Sequence, residues 1–189
     1  MKRKSFFQIL AGLAIFPSVA LSRVVNTLKI NKGFMVPSGA DRNKKPINLF
    51  EGDTFYTKVS AKDTDGSLYI YESTRVKKGG PALHYHYDQD ETWYVLEGEF
   101  LIKVGEEIYN AKVGDTVFGP RGVPHAFAKL GEGNGKLLMT FQPAGKMEEF
   151  FINVSEGKMK GLSLQQQDEF RKNHGFVVVG PAIDYQKKP

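Results

Sequence analysis

Between Leu49 and Pro143 the sequence is a run of short segments with apolar alternation, each closed by a turn signal, and no helical period separates them. The segments span 54–61, 67–76, 82–87, 92–96, 100–104, 107–112, 116–118, 125–129 and 136–142. Asp65-Gly66, Gly79-Gly80, Glu97-Gly98, Gly114-Asp115 and the stretch 131–135 punctuate them. Parallel neighbours need crossover connections of about a dozen residues or more, and these links are too short to supply them. The pattern therefore predicts an antiparallel sandwich or barrel. After Gly145 the period changes: 146–152 suits a short helix, and Ser163-Leu164-Gln165-Gln166 is a capping box opening a second helix through Asn173, with Gly175 to end it. Residues 176–179 can return as a strand. The strand block is not repeated, so 189 residues hold one core.

What such a core can do chemically is narrowed by the absence of cysteine. Disulfides, a thiol nucleophile, thiolate zinc and thiolate-held iron-sulfur clusters are excluded, which leaves imidazole and oxygen as metal donors. There are four histidines. His84 and His86 alternate along one strand, so both rings share a face. Glu91 follows with four residues between, at the start of the aromatic strand Trp93-Tyr94-Val95-Leu96. His125 comes just after the rigid turn Gly119-Pro120-Arg121-Gly122-Val123-Pro124. Alone, His84 and His86 could be a surface pair, Glu91 a turn residue and His125 a core histidine. Together they offer three neutral nitrogens and one anionic oxygen, a set suited to a divalent first-row metal with open positions. His174, near a helix end, reads as a dipole partner and not a ligand.

The two histidine segments resemble the motifs of the cupin superfamily. Its first motif, G(x)5HxH(x)3-4E(x)6G, is matched at His84, His86, Glu91 and Gly98, although the opening glycine is Gly79 or Gly80. Its second, G(x)5PxG(x)2H(x)3N, is matched at Gly114, Pro120, Gly122 and His125, with Lys129 in place of the closing asparagine. The 15 residues from Glu99 to Val113 fit the short spacing of compact members, and the 94–99 and 120–127 segments look like bacterial quercetin-dioxygenase-like single cupins. The resemblance implies an all-β fold: one cupin (double-stranded β-helix, or jelly-roll) barrel over 47–145, with a short C-terminal helical extension over 146–189. It implies metal ligands His84, His86, Glu91 and His125, Fe(II) or Mn(II) ahead of Ni, Cu or Zn, and a homodimer. The activity implied is a dioxygenase-like oxidoreductase acting on a small organic molecule, with Glu91 as ligand and base. A non-catalytic binder of sugars or small acids, and a metal-dependent isomerase or lyase, are the alternatives. By parity Ala82, Trp93, Val95 and Phe127 face inward with the ligands. Lys103, Arg121 and Lys129, near the mouth, could attract an anionic substrate, but solvated surface charge is the simpler reading of each.

Residues 1–22 carry Lys2, Arg3 and Lys4, then an apolar run from Phe6 to Phe16, with small-residue cleavage positions after Ala20 or Ser22. Arg3-Lys4-Ser5-Phe6-Phe7-Gln8 resembles a twin-arginine signal with lysine as its second basic residue, so the expectation is export to the periplasm or medium. An anchor formed by 6–21 is the alternative, but the stretch is shorter than the roughly 20 residues a membrane span needs. Removal of the leader takes the basic residues from 26 to 23 against 21 acidic, so the net charge falls from +5 to about +2. Much of the remainder lies in the extended lead-in over 23–46 and at the tail. No basic stripe interleaved with aromatics exists, so nucleic acid is not an expected partner, nor is a membrane once the leader is gone.

Overall fold

Period-two alternation converts directly into buried and solvent-facing rows. In the computed structural model, which describes residues 32–49 and 52–186, the clearest case is β10 (Gly135–Gln142), where Leu137, Met139 and Phe141 are buried and their neighbours half-buried. β5 (Asp90–Glu97) buries Glu91, Trp93 and Val95 and exposes Tyr94 and Leu96. The other strands are β1 (Ile47–Asn48), β2 (Asp53–Val59), β3 (Tyr69–Arg75), β4 (Ala82–His86), β6 (Glu99–Val104), β7 (Glu107–Lys112), β8 (Thr116–Gly119), β9 (His125–Lys129) and β11 (Phe176–Ala182). All pairings are antiparallel. Six strands form one sheet in the order β1-β2-β3-β10-β5-β8, and five form the other in the order β11-β4-β9-β6-β7.

These are two open sheets, which corrects the expectation of a closed barrel. No ladder joins an edge of one sheet to an edge of the other among the described residues. Alternation demands one buried face per strand, and a sandwich meets that demand as fully as a barrel does. Closure depends on stagger around the whole ring, which the alternation does not encode. The inner faces meet over an aromatic core in which Phe55 and Tyr71 lie 4.5 Å apart and Tyr69 stacks on Tyr71 at 5.1 Å.

The segment after β10 forms α1 (Met147–Ser155) and α2 (Leu164–Asn173), and then β11, which takes the edge position beside β4. Ser163 and Gln166 close the capping box that opens α2. Phe150 ties the helices to the sheet, with ring centroids 5.8 Å from Phe170 and 4.8 Å from Phe176. Glu148 accepts hydrogen bonds from Ser60 Oγ at 2.8 Å and the Ala61 amide at 2.9 Å, fixing α1 against the turn after β2. The lead-in is held by Asp41, whose carboxylate accepts from the amides of Asn43, Lys45 and Thr57. The leader expected over 1–22 lies outside the described residues, as does the lead-in up to residue 31. Among the described residues no helix is long and apolar enough to cross a membrane.

Candidate metal centre

His84 and His86 sit two apart on β4, so the pleat sends both rings to the inner face. His84 is register partner to His125 at the start of β9, and that pairing sets their ring centroids 4.8 Å apart. Glu91 arrives from the opposite sheet on the buried row of β5. The ligating atoms of all four side chains lie within 4.8 Å of one another. His86 and His125 are fully buried and Glu91 is 3% exposed. The five-stranded sheet thus supplies three imidazoles and the six-stranded sheet the carboxylate.

The hydrogen bonds around the rings decide which atoms face the centre. His84 Nδ1 lies 2.7 Å from the Ala82 carbonyl and His125 Nδ1 lies 3.0 Å from the Val123 carbonyl. A carbonyl oxygen only accepts, so both Nδ1 atoms carry the proton and both Nε2 atoms present lone pairs. Glu91 Oε2 lies 3.1 Å from His125 Nε2 and 3.3 Å from His86 Nε2. Neither ring nitrogen of His86, nor Glu91 Oε2, nor His125 Nε2 has a hydrogen-bond partner, although all are buried. Unpartnered buried polar atoms are costly, and lone pairs directed at a carboxylate repel. A cation between them removes the repulsion and satisfies the atoms that face it, leaving one His86 ring nitrogen without a partner, and three imidazole nitrogens with one carboxylate oxygen suit a divalent transition metal. The residues present fit such an ion.

Neighbouring side chains fix the ligands in place. Trp93 meets His125 edge-on at 5.1 Å, and Phe141 meets His86 at 5.0 Å. Gly119 makes room for Trp93: a Cβ there would stand 2.7 Å from the indole and 3.4 Å from His125 Nδ1. Burial, together with the His125 and His86 imidazoles, pushes the His84 imidazole down to about 4. Burial alone would raise the Glu91 carboxyl, but in the metal-free centre the His125 and His86 imidazoles, when protonated, donate to it and draw it down to about 2. An unfolded chain takes up the His84 proton near its ordinary pKa of 6.5, whereas the folded chain resists until about pH 4. Stability therefore rises with pH across that window and is lost as pH falls from about 6.5 to about 4. Glu91 extends the loss downward from its ordinary 4.5 toward 2. The urea midpoint of the metal-free protein, followed from pH 7 to pH 4, is expected to fall steadily; a flat midpoint contradicts the assigned environment of His84.

The centre opens into a cavity of ≈ 500 Å³ between the sheets, reached by His84 and Glu91 and walled by Phe55, Tyr71, Phe127, Met139, Phe141 and Phe176. Ala82 lines it, while Trp93 and Val95 are buried beside it in the core. Asp53 also lines it, ion-paired to the buried Arg75. At the helical end the lining is Met159, Lys160, Gln167 and Arg171, which no motif in the sequence marks. Gln167 and Arg171 share one face of α2 with Phe170 at helical spacing, a period that does not say what the face covers, and Met159 and Lys160 precede the helix.

One charge assignment from the sequence changes, that of Lys129. Lys129 is not solvated: it is 1% exposed, and its Nζ donates to the carbonyls of Leu130 at 3.2 Å and Gly131 at 2.9 Å. A side chain that crosses inner packing and caps two turn carbonyls fills the place of the motif's asparagine. Arg121 is exposed and grips Asp90 through Nε and Nη2, and neither it nor Lys103 lines the cavity. His174, read as a dipole partner and not a ligand, stands at the C-terminal cap of α2 and outside the ligand cluster. Its Nδ1 lies 2.7 Å from the Phe170 carbonyl and its Nε2 3.2 Å from Asn153 Nδ2, so the ring joins α2 to α1.

The family model described as Cupin domain matches residues 73–141. An uncharacterized protein of Methanocaldococcus jannaschii is 34% identical over 67 residues, 35% of this chain and 54% of that protein. Quercetin 2,3-dioxygenase of Bacillus subtilis is 28% identical over 109 residues, 57% of this chain and 32% of that enzyme. The chain thus spans about half and about a third of the lengths of these two relatives. Among solved structures, KdgF from Halomonas sp. superposes with a TM-score of 0.51 at 17% identity, over 59% of this chain and 94% of that one. A predicted oxalate decarboxylase from Thermotoga maritima gives 0.50 at 18% identity, over 58% and 99%. At such identities the likeness is one of fold.

Proposed function

The chain belongs to the cupin superfamily, and from that premise we propose that it is a metal-dependent, dioxygenase-like oxidoreductase acting on a small organic molecule. The observation that carries the proposal is the set of buried, unpartnered ligand atoms opening onto an aromatic cavity of ≈ 500 Å³. His84, His86, Glu91 and His125 would hold Fe(II) or Mn(II), which supplies open coordination positions and electron exchange with O2. The aromatic walls exclude water and hold a flat or apolar body by contact area. Glu91 would be a ligand and, on leaving the ion, the acceptor of a substrate hydroxyl's proton. Sugar isomerisation is less well served, since the wall between the ligand cluster and the helical rim is mostly aromatic and aliphatic. The 28% identity with a quercetin dioxygenase supports the same reading.

The deciding experiment is elemental analysis of anaerobically purified protein, followed by oxygen uptake with flavonols, diketones and small acids. Stoichiometric iron or manganese with substrate-dependent uptake is the expected result. Metal with turnover but no oxygen consumption means an isomerase or lyase, and metal without turnover means a binder. Export belongs to the same proposal and rests on Lys2-Arg3-Lys4 and the apolar run that follows. It predicts a mature amino terminus at Leu21 or Arg23 in the exported fraction.

A further inference from the structure

The charges around the cavity are unevenly distributed between floor and rim. At the floor, Glu91 belongs to the cluster that a divalent cation would fill, and on the wall Asp53 is neutralised by Arg75. The helical rim contributes Lys160 and Arg171. Both lie in the C-terminal segment, outside the residues the family model matches. A divalent ion below would add its charge to those of Lys160 and Arg171 above, the latter shared with Asp168, and apolar walls focus such a field.

Arg171 is held for such a role. Its Nη1 bonds Asp168 at 2.8 Å and its Nη2 bonds Gln167 Oε1 at 3.2 Å, both on the same helix. Its side chain is 22% exposed, and Gln167 lines the cavity beside it. The Asp168 side chain is 58% exposed, and a surface pair of that kind contributes little to stability. A ligand carboxylate can therefore replace or share the aspartate at small cost, and the planar guanidinium suits that geometry.

Resting on the metal-centre reading above, we propose that the substrate class is an amphipathic organic acid. An oxygen-donor head meets the metal, an apolar body lies along Phe127, Phe141 and Phe150, and a carboxylate ends at Arg171 and Lys160. Positive potential draws the acid in, and the rim fixes which end enters first. A neutral molecule of the same shape gains only the metal and the walls.

The test uses Zn(II)-loaded protein as a redox-silent filling and needs no turnover. The probes are α,ω-diacid monohydroxamates of increasing chain length, each paired with its ω-carboxamide, with affinity read by calorimetry and zinc by elemental analysis. At one chain length the carboxylate is expected to bind at least about tenfold more tightly than the amide, and the preference weakens with added salt. In a chain carrying Arg171→Met and Lys160→Met it drops to within about twofold, with zinc content, melting temperature and amide affinity retained. Equal binding of acid and amide at every length in zinc-loaded protein overturns the anionic substrate class alone. A preference that survives both substitutions overturns the assignment to this rim. Protein that takes up no zinc overturns the metal centre and, with it, the proposal.

Discussion

Replacing His125 with alanine removes stoichiometric divalent metal while leaving the two sheets folded. The imidazole is fully buried, with Nδ1 tied to the Val123 carbonyl and Nε2 unpartnered 3.1 Å from Glu91. Loss of a supporting partner alone weakens a metal site by about 10–100-fold, and loss of a ligand weakens it further. The metal-free variant escapes the repulsion between Nε2 and the carboxylate, so its stability falls less than removal of a buried ring would suggest. His86→Ala has the same effect on metal through the other contact of Glu91 Oε2, at 3.3 Å. Elemental analysis of both variants beside the parent, with circular dichroism to verify folding, is the check. Full metal retention in either one removes that residue from the site.

Gly80→Ala is expected to be among the most damaging substitutions outside the ligand set. A Cβ on Gly80 would lie 1.7 Å from the Phe127 carbonyl oxygen and 2.7 Å from its carbon. The obstacle is backbone, so no rotamer change relieves it, and it belongs to β9, which carries His125. Next to it, Gly79 exchanges hydrogen bonds with Lys129 at 3.0 and 2.9 Å, which locks the two backbones together. The cost should reach or pass about 3 kcal/mol, the upper end of ordinary overpacking, which lowers the melting temperature by about 6–12 °C in a chain of this size. Gly122→Ala is the control. Gly122 has φ +75° and nothing within 4 Å of an added Cβ, so only the left-handed backbone cost of about 1–2 kcal/mol applies. Equal melting temperatures for the two variants would contradict the close approach of Gly80 to β9.

Strand positions were legible because each ends on a turn residue with a definite backbone role; the predicted span 136–142 sits within β10, and 125–129 matches β9. The meeting of His84, His86, Glu91 and His125 could be anticipated because period two fixes which side chains share a face and the motif spacing fixes the rest. Closure was not legible, since alternation is identical in open and closed sheets. Lys129 was misread because a lone lysine carries no sign of the two carbonyls it will cap. Lys160 and Arg171 escaped for a related reason. The capping box locates the start of α2, but it does not say that the helix will lie across the mouth of a cavity built from strands far earlier in the chain.

The divided origin of the ligands has a mechanical consequence. His84, His86 and His125 ride on one sheet and Glu91 on the other, and among the described residues no hydrogen-bonded ladder joins the two. Apolar contact between sheets is non-directional and resists sliding weakly, whereas coordination bonds are short and oriented. A filled site would therefore act as a rivet, resisting shear of one layer over the other. Its binding energy enters the unfolding equilibrium directly, adding about 2.7 kcal/mol when free metal stands at a hundred times its dissociation constant.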